Sequence, residues 1–386
     1  MPTHSFGQEA IDLHKKHGGK LELRSKVPLT NREELSRAYT PGVADVCMVI
    51  SKDPSLASTY TLKKNTIAVV TDGSSVLGLG NIGPVAAIPV MEGKAILFKE
   101  FAGIDAFPIC LATQDTEEII QAVRHIAPVF AAINLEDIAA PRCFEIERRL
   151  QAELPIPVMH DDQHGTATVV LAALINALRL RGISHQEARI VISGAGAAGT
   201  AITDILLSYG CTDITVVDSK GAVGLHRTDL QKDKQELARR TNPRGIHGGL
   251  AECVQGATVF IGVSKAGVMT KEMVRSMQER PIIFALANPV PEIMPADAQE
   301  AGAFIVATGR SDFPNQVNNA LGFPGLFKGL LASGARQFTE KAFVAAAEAL
   351  AGAAGEITPE RILPTPFEPA VVSSVSDAVA RALASR

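Results

Sequence analysis

The chain has 386 residues, with 37 Lys and Arg against 41 Asp and Glu for a formal net charge of −4, and 46% hydrophobic and 20% charged residues. That length suits two domains, and the composition is that of a folded protein, not a disordered or fibrous one. The near balance of charge gives no electrostatic footprint for nucleic acid and no polybasic membrane patch.

The N-terminus is polar and lacks an apolar signal core, and the most apolar segment, residues 166–178, contains Asn176 and is too short to span a bilayer. A cytoplasmic protein without an anchor is expected. Cys47, Cys110, Cys143, Cys211 and Cys253 are scattered and form no C-x-x-C pair, so they read as reduced, buried thiols and not as a disulfide framework or zinc ribbon.

The first 65 residues read as a helical arm, with helical stretches at 8–17 and 31–37 and a turn at 39–42, where Tyr-Thr-Pro-Gly stands. Such arms often make subunit contacts, and at least a homodimer is expected. From residue 66 short apolar runs alternate with helix-period segments, the pattern of an α/β fold with a largely parallel sheet. Strands are predicted at 66–70, 95–98, 132–135 and 156–159. Asp115 with Glu118 forms a capping box that opens a helix ending near Pro128. A long apolar helix from 166 to about 180 follows, then a strand at 189–193, a glycine turn, a helix closed by Gly210 and a strand at 214–218. Further strands are predicted at 258–263, 282–286 and 304–307, and the tail from about 327 is helical.

The turn at 194–199, Gly194-Ala195-Gly196-Ala197-Ala198-Gly199, matches G-x-G-x-x-G where the chemistry needs it, after a strand and opening a helix. Glycines let the backbone approach a pyrophosphate, whose charge meets free N–H groups and the helix dipole. Asp218 closes the next strand 24 residues after Gly194, placed to take the adenosine ribose hydroxyls. A carboxylate there favours NAD by repelling a 2′-phosphate, while Lys220 could pair with one, which leaves NADP open. A second match at 78–83 follows no full strand and runs straight into Pro84. It reads as a loop beside the substrate that lets backbone approach closely, not as a second dinucleotide site.

The most informative pattern is a pair of acid doublets, Glu136-Asp137 after the 132–135 strand and Asp161-Asp162 after the 156–159 strand. Pro141 opens a helix between them running to about Leu154. The unit is therefore strand, helix, strand, with both doublets at one carboxyl edge of a parallel sheet. Carboxylates crowded there repel unless a cation joins them, and hard oxygen donors in modest number suit Mg²⁺ or Mn²⁺. His160 and His164 are spaced as H-x-x-x-H, but Pro155 and Pro157 before them and Gly165 after them argue against a zinc-binding helical face. Hydrogen-bonding histidines beside the site are expected instead.

The combination resembles a bacterial malic enzyme of the short, single-activity type. The resemblance rests on SRAYTPGVADVC (36–47), VVTDGSSVLGLGNIGPVAAIPVMEGKAILFKEFAGIDAFPICL (69–111), INLEDIAAPRCFEIE (133–147), IPVMHDDQHGTA (156–167), SGAGAAG (193–199), FALANPVPEI (284–293) and ATGRSDFPNQVNNALGFPG (307–325). These motifs occupy nearly the whole chain, so the longer members fused to a phosphotransacetylase-like domain are not the expected type. The resemblance implies a malic-type α/β domain with its helical arm over 1–162, then a Rossmann-like, doubly wound dinucleotide-binding domain with C-terminal helices over 163–386. It implies metal-dependent oxidative decarboxylation of (S)-malate to pyruvate and CO2 with reduction of NAD(P)⁺. In the resemblance Tyr39 of AYTPG is the acid that protonates C3, and Lys94 of VMEGK is the base that takes the C2 hydroxyl proton. Glu136, Asp137 and Asp162 become the metal ligands. Asn288 of ALANP and Asn318 of QVNN contact nicotinamide or substrate, and Asp161 is a rival base or relay. Two departures, Val290 where the family usually has an acid and Ala266 where proline is common, bear on cofactor-side loops.

Two other readings compete. A metal-independent dehydrogenase of hydroxy or amino acids would keep the dinucleotide turn and make the acid doublets structural. A non-enzymatic NAD(P)H sensor would have no need of Tyr39, Lys94 and a full set of acids.

Overall fold

Apolar runs covered on both faces set the architecture, as parallel strands flanked by helices require. The computed structural model describes residues 6–76 and 78–384. In the first sheet, β1 (Thr66–Thr71) is buried along its whole length and lies between β2 (Asp105–Cys110) and β3 (Ala132–Leu135). β4 (Val158–His160) completes the order β2-β1-β3-β4, all parallel. The second sheet comprises β5 (Arg189–Ser193), β6 (Asp213–Asp218), β7 (Gly221–Ala222), β8 (Val259–Gly262), β9 (Ile282–Ala285) and β10 (Ile305–Thr308). Its order is β10-β9-β8-β5-β6-β7, with β7 the one antiparallel strand. The order reverses direction at β5, and the crevice outside that reversal is where such sheets take ligands.

One helix, Asp161–Arg181, joins the two halves. A single apolar cluster holds Ile67 and Met91 from the first sheet's layer, Val169 and Leu171 from this helix, and Ile190 and Ile192 from the second sheet. Asn176 is tolerated in this core because its Nδ2 donates to the carbonyls of Ala351 and Ile362, each at 2.8 Å. No helix among the described residues is long and apolar enough to cross a membrane.

Several expectations are corrected. Residues 95–98 are not a strand. They close and follow the helix Gly83–Leu97, which buries Ala87, Met91, Lys94 and Ala95 at helical spacing. The partner of β1 is instead β2, which contains Asp105 and Pro108 and so did not read as a strand. It lies at the sheet edge, where a missing ladder donor is harmless. The long helix begins at Asp161, five residues before the predicted start, so His164 and Gly165 are helical. A Cβ on Gly165 would sit 1.8 Å from Asp161 Oδ1, so a residue that reads as a helix breaker is the one that lets the Asp161 carboxylate fold back over the turn. The capping box is only half formed. Asp115 accepts from the backbone of Glu117 and Glu118, but the Glu118 carboxylate accepts from Thr113 Oγ1. All five cysteines are free thiols, but Cys47 is exposed and Cys110 half-buried, so the set is not uniformly buried.

The arm is helical at Gly7–His17 and Arg32–Ala38, as expected, and at Val43–Lys52, and none of these helices buries a residue. Gly165→Ala is expected to destabilise the fold by about 1–3 kcal/mol through overpacking against a pinned carboxylate. Urea unfolding checks this, and an unchanged midpoint would show that Asp161 is free to move aside.

Candidate active site

Parallel pairing brings the two acid doublets together. Glu136 and Asp137 directly follow β3, and Asp162 lies in the first helical turn directly after β4. One carboxylate oxygen from each of Glu136, Asp137 and Asp162 lies within 4.8 Å of the others. Asp137 has φ +54°, a left-handed conformation that non-glycine residues rarely hold outside constrained sites. Its N–H donates to Asp162 Oδ2 at 2.8 Å, and Asn134 Nδ2 donates to Glu136 Oε2 at 2.8 Å. Oxygen donors crowded in this way, two buried and that of Asp162 half-buried, form a set that could hold a hard divalent cation.

Lys94 enters from the Gly83–Leu97 helix and is 6% exposed. Its Nζ lies 2.6 Å from Asp161 Oδ2 and 2.8 Å from Glu136 Oε1, and 4.2 Å from the centre of the Phe323 ring. Burial pushes the ammonium's pKa down, but attraction by Asp161 and Glu136 outweighs it and the net shift is upward, so this arrangement holds Lys94 charged. The acids respond in the other direction. Burial is the chief cause that pushes Asp161 and Asp162 up to about 6, with Lys94 opposing it; it also pushes Glu136 up.

A supporting layer fixes these groups. Glu147 accepts from the His160 N–H at 2.8 Å and binds His164 Nε2 at 3.1 Å, and His164 stacks on Phe343 with ring centres 4.8 Å apart. His164 thus braces the helix start as a hydrogen-bonding histidine, but His160 departs from that expectation: it bonds Glu147 only through its backbone, both ring nitrogens are buried without a hydrogen-bond partner among the described residues, and its Nε2 lies 3.7 Å from Asp162 Oδ2. Asp72 accepts from Ser74 and from Arg142 Nη2 at 2.9 Å, while Ser74 Oγ accepts from the Ala139 N–H, tying the loop after β1 to the loop after β3. Sequence reasoning missed Asp72, Arg142 and Glu147. Asp72 carried the same signal as the doublets, an acid directly after a strand.

The three acids and Lys94 open on a cleft of about 840 Å³ whose opposite wall includes Gly196, Ala197, Ala198 and Gly199. A Cβ on Gly194 would lie 2.5 Å from the Val263 carbonyl oxygen and one on Gly199 1.8 Å from that of Gly194, whereas Gly196 faces open space. The outer glycines allow the tight turn, and the middle one leaves room for a ligand. Gly194 and Ala195 belong to the turn behind the cleft, and Asn288 and Asn318 line it. The loop at 78–83 also reaches the cleft, where Gly78 packs on the carbonyl of Asn288; a Cβ there would come within 1.4 Å.

Two expected residues lie elsewhere. Tyr39 is 64% exposed on the arm and does not line the cleft. Asp218 stands at the end of β6, outside the cleft, with Oδ1 taking Arg227 Nη1 and Oδ2 taking Lys234 Nζ, both at 2.7 Å. Burial raises its pKa, but these hydrogen bonds outweigh it and hold the carboxyl below its usual range. Asp161 is fully buried behind Lys94.

Comparisons with known proteins agree with this geometry. A family profile described as "Malic enzyme, N-terminal domain" matches residues 18–151, and one described as "Malic enzyme, NAD binding domain" matches residues 163–386. The chain is 54% identical to the bifunctional malic/malolactic enzyme of Bacillus subtilis, over 98% of this chain and 93% of that one. It is also 54% identical to the NAD-dependent malic enzyme of Geobacillus stearothermophilus, over 95% of this chain and 77% of the other. The crystal structure of the NAD-dependent malic enzyme of Thermotoga maritima superposes with a TM-score of 0.93 at 50% identity, covering 96% of this chain and 98% of that one.

The raised carboxyls make a stability prediction. Asp162 binds its proton more tightly in the fold, at about 6, than in the unfolded chain, at about 3.9. Its stabilising contribution is fully present below the unfolded value and is lost as pH rises through about 6. In metal-free protein, the unfolding free energy of the wild type relative to Asp162→Asn should therefore fall across that window. A difference that stays flat or rises would show that the carboxyl is not raised.

Proposed function

The chain belongs to the malic enzyme family, and from that premise we propose that it converts (S)-malate to pyruvate and CO2 while reducing a nicotinamide dinucleotide. The observation that carries this reading is the convergence of Lys94 and three carboxylates on one wall of a cleft whose other wall is the Gly196–Gly199 turn. We divide the labour at the start of the shared helix: residues 1–162 supply acids and base, residues 163–386 the dinucleotide site. Glu136, Asp137 and Asp162 would hold Mg²⁺ or Mn²⁺, and the cation would supply Lewis-acid polarisation for the oxidation and for the loss of CO2.

Lys94 must be neutral to take the C2 hydroxyl proton, yet two acids hold it charged. With Glu136 counted among the residues that would hold the cation, Asp161 is the partner left to Lys94. At 2.6 Å and fully buried, Asp161 is placed to take the Lys94 proton, leaving a neutral amine next to a neutral acid where burial disfavours charge. Lys94 then accepts the hydroxyl proton as hydride leaves C2 for the nicotinamide, and Asp161 acts as relay, not as rival base.

Tyr39 protonates C3 of the product in this reading, but its own chain keeps it outside the cleft. The arm exposes Leu35, Val46, Met48 and Val49 beside it, a surface suited to a second copy. We therefore assign Tyr39 to the cleft of the partner in a homodimer. For the dinucleotide, Asp218 favours NAD⁺, yet Arg227 and Lys234 neutralise the charge that would repel a 2′-phosphate, so NADP⁺ is expected as a second acceptor.

With L-malate, reduction of NAD⁺ and of NADP⁺ is followed by absorbance with and without Mn²⁺, and pyruvate is assayed in the same tubes. Metal-dependent pyruvate is the expected result. Turnover insensitive to chelator would favour the metal-independent dehydrogenase, and none in folded, Mn²⁺-loaded protein would overturn the reading. Tyr39→Phe and Lys94→Met chains, each inactive alone, should regain up to about a quarter of wild-type activity when mixed and allowed to exchange, because half the dimers are hybrid with one complete site. No recovery in demonstrated hybrids would return Tyr39 to its own chain.

A further inference from the structure

The cleft is short of positive charge. Glu136, Asp137 and Asp162 cluster together and Glu136 and Asp161 pair with Lys94, so even with a divalent cation bound these four acids and one lysine keep a negative balance before a dianionic substrate arrives. Among the described residues lining the cleft, Lys20 and Lys94 are the only cations, and Lys94 is engaged by Asp161 and Glu136.

Lys20 is not engaged in that way. Its Nζ donates to the Pro89 carbonyl at 2.7 Å and lies 3.5 Å from where a Cβ on Gly93, the neighbour of Lys94, would stand. Among the described residues no carboxylate lies within ion-pairing distance of that ammonium. The position is built. Gly18 and Gly19 take φ of +67° and +110° after the first arm helix and turn the chain back, and the Lys20 N–H donates to Glu92 Oε2 at 3.1 Å. The φ of Gly19 is one that L side chains rarely adopt, so the turn favours glycine there. The ammonium is half-buried, and burial pushes its pKa down, with Glu92 partly offsetting that. Nζ has two N–H donors left after Pro89.

Resting on the malate reading above, we infer that Lys20 binds the second carboxylate of the substrate, the one remote from the C2 hydroxyl, and so selects dicarboxylic over monocarboxylic 2-hydroxy acids. This is ground-state binding. The C4 carboxylate leaves as neutral CO2, so the contact does not strengthen toward the transition state and belongs in KM more than in kcat.

The test compares wild type, Lys20→Met, which keeps the stem without the charge, and Lys20→Arg, in the Mn²⁺-loaded enzyme. KM for L-malate should rise roughly ten- to a hundredfold in Lys20→Met with kcat little changed, as expected for loss of a charged hydrogen bond. The inhibition constant of L-lactate, which has the hydroxyl and one carboxylate but not the other, should stay the same. Lys20→Arg should recover most of the malate affinity. Unchanged malate KM in Lys20→Met overturns the inference, as does equal weakening of malate and lactate, which would show Lys20 acting through the fold. A wild type that does not turn over malate at all would instead overturn the reaction assigned above, and Lys20's role with it.

Discussion

A buried ammonium held between two buried acids is the constraint from which the rest of the site follows. Lys94 cannot stay charged at 6% exposure without Asp161 at 2.6 Å and Glu136 at 2.8 Å. Those acids directly follow different strands, so the pair fixes the ends of β3 and β4 against the Gly83–Leu97 helix. The same requirement reaches into backbone geometry. Asp161 folds over position 165, which must be glycine, and Asp137 turns through a left-handed conformation so that its N–H meets Asp162. Local preferences are overridden wherever they would move a carboxylate away from this centre.

The arrangement also explains why the acids are poised and not simply ionised. Four carboxylates and one lysine leave excess negative charge in a place where charge is costly, and the raised pKa values of Asp161 and Asp162 are the response. A divalent cation would relieve that excess and free Lys94 from one of its two partners. The helix that begins with both acids runs through the core shared by the two sheets, so the acids and the sheet that carries the glycine turn are packed on one rigid element. Sites built on such elements keep their geometry better than sites built on loops.

Much of this was legible in the sequence. The placement of the acid doublets at one sheet edge was legible because strand, helix, strand forces a parallel pairing, and the placement of the glycine turn because it stood between a strand and a helix. The Lys94 region did not read. Its apolar run looked like a strand because a buried lysine breaks an otherwise apolar helical face, and the true strand at 105–110 was hidden by Asp105 and Pro108, which only an edge position tolerates. The start of the long helix was placed late because Gly165 reads as a breaker until Asp161 is seen above it. Glu147, Arg142 and Lys20 act through partners far along the chain, and no local pattern announces such contacts. The resemblance named Tyr39, but only the structure shows that its own cleft does not contain it.

The central claim is that the carboxylates facing Lys94 form a divalent-cation site. Calorimetric titration of Mn²⁺ into the protein, without substrate or nucleotide, tests it most directly. One Mn²⁺ per chain is expected, with binding lost in Asp137→Asn. Folded wild type that binds no Mn²⁺, or Asp137→Asn that binds it as tightly as wild type, would contradict it.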